Sequence, residues 1–267
     1  MTMRLRDRLL TILGDIKVFR FPLFVIYDPG SYLVRGGDMR ELIELVRPGD
    51  VLVRGYTMYL DGKLIPGYFS HAGLYVGPVT EADRALAPER HRGRVAPGAQ
   101  LVIHAVAEGV GMVDVLDFAR CDRLLVLRFP EVIRARPGAA PDPDAPLDDE
   151  ERVLRDRLLA GGEVRFAEAW PAVRRAAFAQ LGRGYDFDFD FTDVKRLSCT
   201  ELVHRAVRCL APFHGVQPER HRVLFLSGTG ITPDAWVASP LELAWRSRST
   251  QARRVDALRA RAPAPAA

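Results

Sequence analysis

Cys199 opens the segment "SCTELVHRAV", whose apolar residues recur at helical spacing. Ser198 can cap that helix. A thiol at a helix N-terminus faces unpaired N–H groups and the positive end of the macrodipole. Both favour thiolate, the nucleophilic form. Alone, such a cysteine also suits a plainer role as a small buried apolar residue. Cys121, between Arg120 and Asp122, and Cys209, late in a helix at the unfavourable end of its dipole, have weaker contexts.

A cysteine nucleophile needs a base. His71 interrupts the apolar strand start "FSHAGLYVG". Alternation places His71, Gly73 and Tyr75 on one face and Ala72, Leu74 and Val76 on the other. Gly73 leaves room on the histidine's face for another chain or a substrate. His104 lies in a second apolar strand, "LVIHAV". If the two strands are neighbours, His104 can pair laterally with His71 and hold its ring, the part an acid or amide plays in other triads. Each histidine taken singly suits a satisfied strand residue. With Cys199 they form an ordered set of base, orienter and nucleophile.

The acidic run "DFDFDFTDVKRLSC", Asp186 to Cys199, invites a metal reading. A calcium loop of the EF-hand type needs glycine at its sixth position and glutamate at its twelfth. Counting from Asp186 those positions hold Phe191 and Leu197, and both fail. Strand alternation fits better, with Phe187, Phe189 and Phe191 inward and Asp186, Asp188 and Asp190 outward.

The elements that must position these residues follow from pattern. "DMRELIELV" reads as a short helix capped by Asp38 with Glu41 at the capping-box position. "GDVLVRG", "FSHAGLYVGP", "QLVIHAV" with its continuation "GVGMVDV", and "DRLLVLRFP" read as strands. Residues 79–99 read as a polar, Arg- and Pro-rich loop, and residues 134–150 as a second loop. "PLDDEERVLRDRLLAGG" and "FAEAWPAVRRAAFAQLGRG" are helical, the latter with Pro171 expected in its first turn. Strands cluster in the middle and helices flank them, which predicts an α+β fold around a mostly antiparallel sheet.

Composition narrows the classes. The chain has 267 residues, 48% of them hydrophobic, ample for a packed core. A net charge of +4 is small against 38 basic and 34 acidic groups, and no nucleic-acid motif or zinc-finger spacing is present, so no nucleic-acid partner is expected. Three cysteines without a close pair predict a reducing compartment. The N-terminal "MTMRLRDRLLTILGDIKVFRFPLFVIYDPG" lacks the marks of a secretory signal, and its apolar run falls short of the roughly 20 residues a membrane span needs. Cytoplasmic location is therefore expected. The segment suits either a helix packed on the domain or a basic amphipathic helix making peripheral membrane contact.

The blocks "GDVLVRG", "FSHAGLYVG", "LVIHAVAEGV", "LGRGYDFDF", "SCTELVHRA" and "ITPDAWVASPLEL" together resemble the circularly permuted NlpC-type papain-like cysteine hydrolases, the YiiX/YaeF-like branch in particular. Lecithin retinol acyltransferase-like enzymes are more distant cousins. The resemblance spans about residues 46–245 and implies a permuted papain-like fold, an antiparallel sheet or small barrel flanked by helices. In it the histidine-bearing sheet precedes the cysteine-bearing helix, as here. The division implied is an N-terminal helical extension (1–45), a catalytic domain (46–245), and a C-terminal helix with a frayed tail (246–267).

Residue by residue, the resemblance gives Cys199 as nucleophile and His71 as general base. The third place is filled by His104, with Glu108 the alternative if a bend or bulge brings it round. The Cys199 backbone N–H would serve the oxyanion, with Tyr185 a further donor or simply a structural tyrosine. No cofactor and no metal are implied. The expected activity is hydrolysis of an amide in a peptide, cell-wall fragment or isopeptide. The alternatives are a lipid-directed thiol acyltransferase or lipase, and a non-catalytic module or zinc site built from Cys199, His71 and His104. His204 lies five residues beyond Cys199, about 140° around the helix, and points away as a fourth ligand.

Overall fold

The computed structural model describes residues 17–19, 24–26, 32–56, 67–140, 146–188, 195–223 and 226–261. Its centre is a six-stranded antiparallel sheet. The strands are β3 (Val51–Gly55), β4 (His71–Pro78), β5 (Gln100–Val106), β6 (Gly109–Asp114), β7 (Arg123–Arg128) and β14 (Glu242–Arg246), in the order β14-β7-β3-β4-β5-β6. Small two-stranded pieces surround it. They are β1 (Lys17–Phe19) with β2 (Phe24–Ile26), β8 (Val132–Ile133) with β9 (Val164–Arg165), β10 (Gly184–Tyr185) with β11 (Arg196–Leu197), and β12 (Glu219–Val223) with β13 (Leu226–Gly230).

The central strands are apolar on both faces because both faces are covered. Val51, Val53, Ala72, Leu74, Val76, Leu101, Ile103, Leu125 and Leu127 share one core with helices α5 (Asp149–Leu159), α6 (Phe166–Phe178) and α7 (Cys199–Ala206). Leu52, Tyr75, Val102, Leu124 and Val126 face the other way. There they meet Leu42 of α1 (Gly36–Leu45) and Val115 and Phe118 of α4 (Val115–Phe118). Each fully buried Leu on this sheet contributes about 1.5–3 kcal/mol relative to an exposed one.

Several local expectations are revised. Helix α1 begins at Gly36 with Arg35 as N-cap, so Asp38 sits one turn in and accepts the Arg35 N–H at 3.2 Å. The segment 79–99 is not loop throughout: α2 (Glu81–Leu86) and α3 (Glu89–Arg92) lie in it, α2 closed by a capping box between Thr80 and Asp83. Pro171 is the sixth residue of α6, beyond the first turn, where its missing N–H leaves the Ala167 carbonyl without its helical partner. The helix expected near the chain start lies outside the described residues, whereas Lys17–Phe19 and Phe24–Ile26 pair as the β1–β2 ribbon. The C-terminal helix is α10 (Ala252–Arg259), preceded by α8 (Ala211–His214) and α9 (Pro233–Val237).

The acidic run is not an alternating strand where it is described. Residues 186–188 bend, with Asp186 3% and Phe187 8% exposed, so neighbours expected on opposite faces are both buried. The Asp186 carboxylate accepts the Asp188 N–H at 2.9 Å, a local turn that competes with strand pairing. Residues 189–194, including Phe189, Asp190 and Phe191, lie outside the described set.

Candidate functional site

Strand β4 begins at His71, and its partner β5 carries His104 opposite Gly73. Both imidazoles therefore leave the sheet on the same face. His71 Nε2 and His104 Nδ1 lie 3.0 Å apart, and the rings meet edge-on at 86°. The lateral pairing expected of neighbouring strands is present. Glu108 instead sits exposed in the turn between β5 and β6, four residues past His104.

The space beside Gly73 is filled. A Cβ there would lie 2.7 Å from Val102 Cγ1 and 2.9 Å from Phe118 Cε2. The Phe118 ring packs on both imidazoles, at 5.6 Å from each. Gly73 thus admits Phe118 to the histidine pair rather than a substrate.

Helix α7 lies across β4 and β5 from the other side of the sheet. Ser198 caps it in a capping box with Glu201, whose carboxylate accepts the Ser198 N–H at 2.8 Å. The Cys199 thiol is met by the N–H groups of Ala72, Thr200 and Cys199 itself. The thiol thus rests where β4 begins, against the peptide that follows His71. These amides favour thiolate, yet burial outweighs them and pushes the thiol up to about 11. Burial, together with the charge of Arg54 and the neighbouring imidazole of His104, holds His71 well below its ordinary value. Burial and Arg54 bring His104 down to about 3. Burial thus disfavours the charged forms of the thiol and of both imidazoles. Cys199 is 2% exposed, His104 8% and His71 9%, so only a slender group can reach the sulfur without displacing its cover.

Two supports were not legible in sequence. The entry to α9 ties the helix of Cys199 to the strand of His71: Thr200 Oγ1 donates to the Ile231 carbonyl at 2.6 Å, and Asp234, in the first turn of α9, accepts the Tyr68 and Phe69 N–H groups at 2.7 and 2.9 Å. Arg54 on β3 pairs in register with His71 and shares its face. A strand-end arginine looks like a solvent residue until register is known.

The remaining candidates fall elsewhere. Tyr185 pairs with Leu197, two residues before Cys199, and its ring packs on Phe187 at 4.9 Å. Cys121 and Cys209 are buried thiols pushed up to about 12 by burial. His204 turns from the site and packs on His214. Among the described residues no group of three or more His, Cys, Asp and Glu is arranged to hold a metal ion. None of the described helices is long and apolar enough to cross a membrane.

No family model matches the chain. Among solved structures it is similar to the metalloprotein YiiX of Escherichia coli O157:H7, a DUF1105 protein. The identity is 15% over 74% of this chain and 96% of that chain, with a TM-score of 0.43. That likeness is too distant to transfer chemistry, and the site rests on its own geometry.

Proposed function

We propose that the chain is a thiol-dependent hydrolase of amide bonds, with Cys199 as nucleophile, His71 as general base and His104 as its orienter, on a permuted papain-like fold of the YiiX-like kind. One observation carries this reading. His71, 3.0 Å from His104 on the neighbouring strand, opens the strand whose first peptides abut the thiol at a helix N-terminus.

His71 Nε2 is committed to His104, which leaves Nδ1 for the sulfur's proton. As Sγ attacks the carbonyl carbon, the S–H proton passes to His71 Nδ1 and the C–S bond forms. N–H groups at the start of α7, that of Cys199 among them, receive the oxyanion. Collapse breaks the C–N bond, and the amine leaves with the proton from His71. Water then attacks the thioester, His71 takes its proton, the C–S bond breaks and the thiol is restored. His71 begins each half as a neutral base, which agrees with its lowered basicity. The substrate is a peptide, cell-wall or isopeptide amide. The basic N-terminal segment supplies any contact with a membrane surface.

The test is mass spectrometry of Cys199 after the intact protein is exposed to lysate and quenched in acid. An acyl adduct on Cys199, absent in Cys199→Ala and in His71→Ala, is expected, and its mass names the substrate class. Stoichiometric zinc in the purified protein, with no adduct, would replace this reading by the metal-site alternative.

A further inference from the structure

Among the described residues, Arg54 is a cation without an anion. Its Nη1 donates to the Phe118 carbonyl at 2.8 Å, and its guanidinium stacks over the Phe118 ring at 4.3 Å. Its Nε is buried with no hydrogen-bond partner. Among the described residues, no carboxylate forms an ion pair with it. Two other half-buried arginines are neutralised, Arg128 by Asp50 and Arg208 by Glu151.

Its position gives the unpaired charge a use. Arg54 stands directly across from His71 in the β3–β4 register, on the same face as the imidazole pair. Directly opposed side chains on adjacent strands have Cβ atoms about 4.5–5.5 Å apart. With Nη1 held by Phe118, the edge left without a partner is that formed by Nε and Nη2, and because Nε is buried a ligand reaches it only by displacing its cover. That edge presents two parallel N–H groups, the geometry a carboxylate accepts in bidentate fashion.

We propose that Arg54 is a recognition point for a carboxylate carried by the substrate close to its scissile carbonyl. This assignment rests on the Cys199–His71 reading above. The field of Arg54 reaches the working groups: it disfavours the charged forms of His71 and His104 and favours the thiolate of Cys199. A bound carboxylate cancels part of that field. The substrate then makes His71 a stronger base at the moment the base is needed. A neutral analogue of the same size brings no such change.

Iodoacetate and iodoacetamide test this. Each alkylates the sulfur with loss of iodide and of the thiol proton. They are nearly equal in size and differ in one negative charge. Their rate ratio at Cys199, read by peptide mass spectrometry, cancels thiol ionisation and access, which both reagents share. Arg54→Gln is expected to lower the iodoacetate-to-iodoacetamide ratio about tenfold. Arg54→Lys, which keeps charge but loses the fork, should fall between. A ratio unchanged in both variants, with Cys199 labelled by both reagents, would overturn the carboxylate assignment and leave the nucleophile standing. Failure of both reagents to label Cys199 in the unaltered protein would overturn both, and labelling by iodoacetamide alone would overturn the carboxylate assignment. Thermal unfolding of each variant confirms that the ratio is read on folded protein, and Arg54→Lys serves if Arg54→Gln does not fold.

Discussion

One proton between two rings decides what His71 can do. For His71 to accept a proton at Nδ1, its own proton must sit on Nε2 and point at His104 Nδ1, which lies 3.0 Å away. His104 then carries its proton on Nε2. When His71 becomes cationic, its Nε2–H still meets a lone pair, so the charge forms against a waiting acceptor. His104→Gln, which keeps an acceptor oxygen, should therefore retain more Cys199 alkylation than His104→Leu. We expect a loss of about 10²-fold for the leucine variant, in the range typical of general-base support. Equal rates in the two variants would show that the ring of His104 only fills space. A second prediction concerns the thiol. With Cys199 pushed up to about 11, its alkylation by iodoacetamide should climb about tenfold per pH unit from 7 to 10 without levelling. A plateau below pH 8 would reveal a thiolate–imidazolium pair at rest.

At the scale of elements, Cys199 and His71 ride on different pieces, α7 and β4, and the stretch Ile231–Asp234 fastens both. Asp234 is largely buried, and burial raises its carboxyl, opposed by the Tyr68 and Phe69 N–H groups it accepts. Asp234→Ala leaves those two donors without their partner, at a cost of about 1–3 kcal/mol, and frees the entry to His71. Urea unfolding should show that loss, and Cys199 labelling should fall with it. Asp234→Asn, which still accepts, should recover most of both. A stability loss without any change in labelling would make the tie purely structural. This tie was invisible in sequence because Thr200, Ile231 and Asp234 carry no joint signal until the chain folds back. The strands β3 to β7 were legible, since runs such as "VLV" and "LVIHAV" are buried on both faces and β-branched. So was the His71–His104 pair, because β4 and β5 are consecutive strands and consecutive strands commonly pair. Helices α2 and α3 were missed because six and four residues are too few to show a helical period. The acidic run misled because alternation is silent about side-chain turns such as that of Asp186.

Among the described residues, burial disfavours the charged form of three histidines, and that shapes the stability of the whole molecule. His71, His104 and His214 all sit below the ordinary value of 6.5, with burial the leading cause in each. The unfolded chain takes up these protons below pH 6.5 while the folded chain refuses them. The stability they represent is present above pH 6.5 and drains as pH falls toward the folded values, about 3 for His104. Glu201 acts in the opposite sense. Its carboxyl is raised to about 7, so its contribution is complete below 4.5 and is lost as pH rises to 7. Between pH 6.5 and 5, three histidines oppose Glu201, joined by the smaller effect of Asp50 and Asp234, whose carboxyls burial also raises, and the histidines win. Urea unfolding should show stability falling on the order of 1 kcal/mol per pH unit across that window. In Glu201→Gln the fall should steepen, because the largest opposing group is gone while the amide still caps Ser198 from the same place. A flat profile from pH 7 to 5 in both proteins would mean that the folded chain protonates its histidines as readily as the unfolded one. In that case the neutral imidazole pair on which His71 depends as a base would not exist at the acidic end of the window.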